Sequence, residues 1–174
     1  MSSTNNSATD LASLTGTWVL DPSRTTIEFR TKAMWVMNVK GTAKALAGSG
    51  VVGDGEAVSG RFEVDMSSVS TGNKKRDDHL QSADFFDTTK FPTMTFEFTS
   101  SHLSGPGRAT LTGTLNVHGQ TRPLTVPAEF RASTDTVDVT AEFPIDRSQW
   151  GMTWAKMGAG IHNQVSVKAR FNKG

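Results

Sequence analysis

Apolar residues in this chain recur at every second position through segment after segment, and a period of two marks β-strands that bury one face. Ile27 and Phe29 show the pattern, as do Phe62, Val64 and Met66, and then Met94, Phe96 and Phe98. It continues in Ala109, Leu111, Gly113, Leu115 and Val117, and in Leu124, Val126, Ala128 and Phe130. It returns in Val137, Val139, Ala141, Phe143 and Ile145, and last in Val165, Val167, Ala169 and Phe171. The intervening positions are rich in Thr, among them Thr93, Thr95, Thr110, Thr112 and Thr114, which suits a solvated sheet face. Short turn signals separate the segments: Asp21-Pro22-Ser23, Gly53-Asp54-Gly55, Gly105-Pro106-Gly107, His118-Gly119-Gln120 and Thr134-Asp135. This rhythm predicts an antiparallel meander, not an alternation of strands and helices. Residues 18–20 and 39–52 supply two further strands, for about eight or nine in all. An antiparallel set of about eight closes into a barrel that encloses one small ligand and leaves no exposed edge.

Two intervals break the alternation. Residues 73–87 carry helix signals: Asn73 as a cap, Asp77 and Asp78 early, and Leu80 with Ala83 on one face. A short helix there crosses one end of the barrel or packs on its wall. Residues 147–160 hold Trp150, Met152, Trp154 and Met157 among Gly151, Gly158 and Gly160, and an apolar loop of this kind is a poor solvent-facing connection.

The chain is 174 residues long, enough for one ordinary domain. Residues 1–15 are polar and read as a disordered tail, with a single domain over residues 16–174. That tail has neither a basic start nor an apolar run, so no signal peptide or membrane helix is predicted and a cytoplasmic location is expected. Lys plus Arg total 18 against 17 Asp plus Glu, so no strong field points to nucleic acid. The absence of Cys excludes disulfides, thiolate metal sites and cysteine nucleophiles.

Few motifs propose chemistry. Gly48-Ser49-Gly50-Val51-Val52-Gly53 matches a dinucleotide-binding string, but Asp54-Gly55 follows where a helix is required, so it reads as a bulge or turn. Lys74-Lys75-Arg76 is either a solvated helix start or a contact for an anionic group. His79, His102, His118 and His162 show no ligand spacing, and no serine-nucleophile motif is present, so neither a metal nor a cofactor nor a catalytic residue is assigned. What remains is apolar volume: ten Phe and four Trp with no Tyr. Rings on the alternating face either plug the barrel or line a pocket, and on the residues alone both readings stand.

The stretch from Ser70-Thr71-Gly72-Asn73 through Lys74-Lys75-Arg76-Asp77-Asp78-His79-Leu80 to Asp84-Phe85-Phe86-Asp87, followed by Lys90-Phe91-Pro92 and Phe96, closely resembles the central motif of the YceI-like family. Trp18-Val19-Leu20-Asp21, Gly113-Thr114-Leu115-Asn116-Val117-His118-Gly119 and residues 147–151 agree with it, so the similarity spans residues 16–171. The resemblance implies an all-β fold: an extended antiparallel eight-stranded lipocalin-like β-barrel with a short inserted helix and an apolar loop near one end. It also implies a long isoprenoid ligand, such as a polyprenyl phosphate or an isoprenoid quinone, held for transport, storage or sensing. Relatives commonly carry His residues near the first hairpin, where this chain has Thr25, Thr26 and Ala33.

On that basis the tail would lie among Phe29, Trp35, Phe62, Val64, Phe96, Phe98, Leu111, Leu115 and Phe143, with Trp150 and Trp154 as a lid. Arg76, Asp78 and His79 would contact the head group or, by pairing Arg76 with Asp77 or Asp78, pin the helix to the barrel. Two other classes compete with this non-catalytic reading. One is a small enzyme or stress-response factor acting on an isoprenoid-derived substrate through His79, Arg76 or Asp78. The other is a solid-cored β protein whose Met/Trp loop is an interaction surface, with a homodimer as one outcome.

Overall fold

The computed structural model describes residues 14–33, 37–53, 57–155 and 159–174. In chain order its strands are β1 (Gly16–Leu20), β2 (Thr26–Ala33), β3 (Met37–Val52) and β4 (Val58–Ser70). Helix α1 (Lys74–Leu80) follows, and then come β5 (Thr93–Gly105), β6 (Arg108–Val117), β7 (Gln120–Ala132), β8 (Thr136–Asp146) and β9 (His162–Lys173). Neighbouring strands are antiparallel, and pairing of β3 with β4 closes the sheet on itself. The expected eight-stranded barrel is therefore present, although nine strands build it.

The extra strand is accounted for by β1 and β2, which lie end to end between β3 and β9. Trp18 is opposite Gly50 and Lys173, while Phe29 is opposite Gly41 and Val165. The break between them has a local cause. Pro22 starts a 3₁₀ turn, the Asp21 carboxylate accepts the Ser23 amide at 3.1 Å, and Thr25 Oγ1 donates to the Asp21 carbonyl at 2.8 Å. The tight hairpins also follow from their residues. His118 and Gly119, at φ of 57° and 71°, form the two-residue turn between Val117 and Gln120, a conformation that favours Gly.

These connections give the barrel two unlike ends. At one end lie the β2–β3 hairpin, α1, the β6–β7 turn and the long β8–β9 loop. At the other lie the β3–β4, β5–β6 and β7–β8 turns. There Leu14, Trp18, Val52, Ala132 and Val137 form a separate buried cluster, with Trp18 Nε1 donating to the Leu14 carbonyl at 2.8 Å. Leu14 thus packs with the barrel rather than belonging to a polar tail. The Gly48–Gly53 string runs along β3 to its end, where the Gly53 amide donates to the Ala57 carbonyl at 2.8 Å, and the next element among the described residues is strand β4 rather than the helix a dinucleotide site requires.

The helix is shorter than its sequence signals predict. Asn73 caps it, accepting the Arg76 amide at 3.1 Å, but after Leu80 the chain winds through turns to residue 90. Those turns bring both Phe85 and Phe86 to the barrel interior, whereas adjacent residues of one continuous helix point in different directions.

Candidate ligand cavity

The inward parity of the strands does not fill the barrel. A cavity of about 510 Å³ remains, lined by residues from all nine strands, within the range of sites that hold small ligands. A row of register partners explains part of the space: Ala109, Ala128, Ala141, Val167, Ile27 and Ala43 follow one another across six strands, mostly with short side chains. All six line the cavity. Rings flank this girdle, and Phe96 and Phe98 stack with centroids 5.8 Å apart. Phe98 lies across Gly60, where a Cβ would approach its Cζ to 2.5 Å, so the ring fits only because its strand neighbour has no side chain.

The polar liners gather at the helix end. Arg76 and His79 come from α1, Thr31 from β2, Asn163 from β9, and Arg147 from the start of the β8–β9 loop. His79 Nε2 lies 2.9 Å from the Asp84 carboxylate, and its ring meets Phe85 and Trp154 edge-on at 5.1 and 4.5 Å. Arg76 donates from Nε to Thr71 Oγ1 at 2.8 Å and from a terminal nitrogen to the Thr71 carbonyl at 3.1 Å. The Asp77 carboxylate accepts the Thr71 amide at 2.8 Å. Arg76 and Asp77 therefore meet at Thr71 rather than pairing directly, and the pin between α1 and β4 runs through that residue.

Arg147 is the most buried charge in the group, at 6% exposure. Its Nε donates to the Gly160 carbonyl at 3.0 Å, and its two terminal nitrogens donate to the carbonyls of Met152 at 2.6 Å and Ala159 at 3.4 Å. The guanidinium also lies 5.0 Å from the centre of the Phe85 ring. Burial pulls its pKa below the ordinary arginine value, and the nearby Asp146 charge opposes that shift. The Asp146 carboxylate itself is turned toward Ser148, accepting its amide at 2.9 Å.

Of the residues the sequence nominates, Phe29, Phe62, Val64, Phe96, Phe98, Leu111, Leu115, Phe143 and Trp154 line the cavity, as do Arg76 and His79. Trp35 lies outside the described residues. Trp150 does not line the cavity: it is 2% exposed and donates from Nε1 to the Leu115 carbonyl at 2.9 Å, so of the expected tryptophan lid only Trp154 faces the interior. Asp78 is also outside, exposed and paired with Lys74 at 3.0 Å along the helix surface. Arg147 was not nominated, although it continues the phase of Val137, Val139, Ala141, Phe143 and Ile145 by two residues, a charged side chain on an apolar parity.

Among the described residues, no cluster of His, Asp or Glu could hold a metal ion, and no helix is long and apolar enough to cross a membrane. A family model described as a YceI-like domain matches residues 18–172. A UPF0312 protein of Vibrio cholerae is 42% identical over 67 residues, covering 38% of this chain and 35% of that one. An UPF0312 protein of Ectopseudomonas mendocina matches over the same shares, so the chain spans about a third of the length of these curated relatives. Among solved structures, Burkholderia cenocepacia BcnA superposes with a TM-score of 0.77 at 20% identity, covering 87% of this chain and 98% of its own. A polyisoprenoid-binding domain from Saccharophagus degradans gives 0.67 at 14% identity, covering 90% and 98%. The YceI protein of Campylobacter jejuni gives 0.68 at 23%, covering 82% and 90%. These likenesses agree on a lipocalin-like barrel.

Proposed function

The chain belongs to the YceI-like domain family, and on that premise we propose that it binds a long isoprenoid lipid, or a comparable amphiphile, with the tail inside the barrel. One observation carries the reading: a cavity of about 510 Å³ that is apolar along its length and polar only at the helix end. Such a space suits a hydrocarbon chain with one wet terminus. Burial of apolar surface contributes about 25 cal/mol per Å², so each 100 Å² of tail removed from water contributes about 2.5 kcal/mol toward offsetting the cost of association. Leu14, Trp18, Val52 and Val137 line the end away from the helix with apolar surface, which favours a tail that lies there and a polar terminus at the helix end. The polyisoprenoid-binding domain of Saccharophagus degradans, built on the same fold, supports the ligand class.

Binding without turnover is the function proposed, because the polar groups at the mouth hold the loop and the helix in place. Arg147 is bonded to loop carbonyls, Arg76 to Thr71 and His79 to Asp84. Carrier, store and sensor all share this binding step. Native mass spectrometry and organic extraction of gently purified protein should recover a bound amphiphile. Repeatedly empty protein, with tryptophan emission that ignores added isoprenoid, would refute the proposal.

A further inference from the structure

Strand β7 is 13 residues long and β8 is 11, yet they pair only over Ala128–Ala132 against Val137–Ala141. From the Ala128–Ala141 pair toward the helix end, β7 stays bonded to β6 and β8 to β9, but no pairing joins β7 to β8. Backbone direction explains why the ladder stops there. The two-residue turn makes Val117 and Gln120 a hydrogen-bonded pair, so even-numbered residues of β7 exchange bonds with β6 and odd-numbered ones aim their backbone groups at β8. Continued toward the helix end, the β7–β8 register would set Pro127 opposite Glu142, Thr125 opposite Pro144 and Pro123 opposite Asp146. In each of those pairs the backbone groups would face one another, and each contains a proline, which has no N–H to donate. The chain has six prolines, and half of them stand at these positions, so the interruption is built into the sequence.

The resulting seam has apolar inner lips. Leu124 and Val126 of β7 and Phe143 and Ile145 of β8 flank it, and all four line the cavity. The Ala128–Ala141 pair closes it at one end. The 3₁₀ turn of residues 147–150 closes it at the other, where Arg122 Nε donates to the Gln149 carbonyl at 3.1 Å. Between these limits, from Leu124 to Pro127, lies about 10 Å of strand at 3.4 Å per residue. Lifting the β8–β9 loop off the helix end breaks the bonds from Arg147 to Met152, Ala159 and Gly160, and parting laddered strands breaks backbone bonds. Spreading β7 from β8 along the seam breaks no backbone bond between them. We infer that this seam is a lateral portal, through which an apolar tail enters and leaves the chamber sideways while the ladders on either side hold. The assignment rests on the lipid-binding reading above.

The test reads exchange rates. Geranylgeraniol is loaded into the intact protein and chased with excess phosphatidylcholine vesicles, with tryptophan emission as the signal because Trp154 borders the cavity. Replacing Pro127→Val together with Pro144→Val returns two missing donors to the seam. The amides introduced at positions 127 and 144 should then be protected from hydrogen exchange. Uptake and release should both slow by about tenfold or more, the scale of one or two backbone hydrogen bonds, with equilibrium affinity unchanged. Protected new amides with lipid exchange at the unmodified rate overturn the portal. New amides that exchange freely overturn it too, since the prolines then do not hold the strands apart. In the unmodified protein the amides of Thr125 and Glu142, which face the seam, should exchange far faster than those of Glu129 and Thr140, which face the ladder. Equal protection of the two sets overturns the inference whether or not the double variant folds. Binding with unaltered kinetics leaves the lipid-binding reading standing, whereas no uptake of isoprenoid by the unmodified protein removes that reading and the portal with it.

Discussion

A bulky ring placed at the alanine girdle should divide the cavity. Ala128 is 7% exposed and lies between Ala109 and Ala141, so a side chain added there projects into the lumen beside two residues too small to meet it. Along β7 it stands eight residues from Gln120 at the helix end, about 27 Å along the strand at 3.4 Å per residue and about 20 Å along the barrel axis at the usual tilt. In Ala128→Trp the indole would occupy lining that a long tail otherwise covers. An aromatic ring of this size buries about 150–250 Å², so at about 25 cal/mol per Å² the displaced contact is worth about 4–6 kcal/mol. Affinity for a long isoprenoid should fall by about three to four powers of ten, whereas a tail short enough to stop above the girdle should bind as before. Displacement of a fluorescent apolar probe by isoprenoids of increasing length provides the assay, with a thermal melt to verify that the fold is kept. Undiminished affinity for the longest tail in a folded variant would refute the placement of the ligand in the lumen.

Four further outcomes are expected. Arg147→Met removes three hydrogen bonds from loop carbonyls, and at about 1–1.5 kcal/mol each the loop should open about 3–5 kcal/mol more readily. Hydrogen exchange should speed up by two or more powers of ten at the Met152 amide, which donates to the Arg147 carbonyl, and stay unchanged in β5–β7. Trp150→Phe leaves the Leu115 carbonyl without its indole donor in a buried setting, at a cost of about 1–3 kcal/mol and several degrees in Tm by calorimetry. Asn73→Ala should cost about 1 kcal/mol through the lost cap in urea titration. Asp138 is held below the usual carboxylate range chiefly by its hydrogen bond from Arg170, so the pair stabilises the fold above the ordinary Asp range and stops doing so as pH falls through the lowered value. Both side chains are a third or more exposed, which limits the effect to about 1 kcal/mol or less; Asp138→Asn should therefore be slightly less stable than the unmodified protein at neutral pH and equal to it in strong acid.

Strand phase was the part of this fold written most openly in the residues. The inward sets around Phe62, Leu115, Val126 and Phe143 all face the interior, because a period of two assigns each residue to a face without reference to its partner strand. Three features needed the third dimension. The end-to-end arrangement of β1 and β2 depends on which strands flank them, and the Asp21-Pro22-Ser23 turn says only that the chain bends. Trp150 and Trp154 look alike in a loop with no repeating phase, yet one is locked to Leu115 and the other borders the cavity. Arg76 and Asp77 suggested a direct ion pair by type, while their geometry routes both to Thr71. Arg147 differs from these, since its phase was visible and only its charge concealed it from a search for apolar liners.

Closure of β3 against β4, with β1 paired on one side to β3 and on the other to β9, has a bearing on how copies of this protein meet. A sheet with a free rim invites another chain to extend it through backbone hydrogen bonds, which is how many β proteins polymerise. Here the wall is a cylinder, and each strand among the described residues has a neighbour on both sides over at least part of its length. Where both neighbours are in place, contact between molecules is left to side chains, and such contacts yield to dilution far more readily than a shared backbone ladder does.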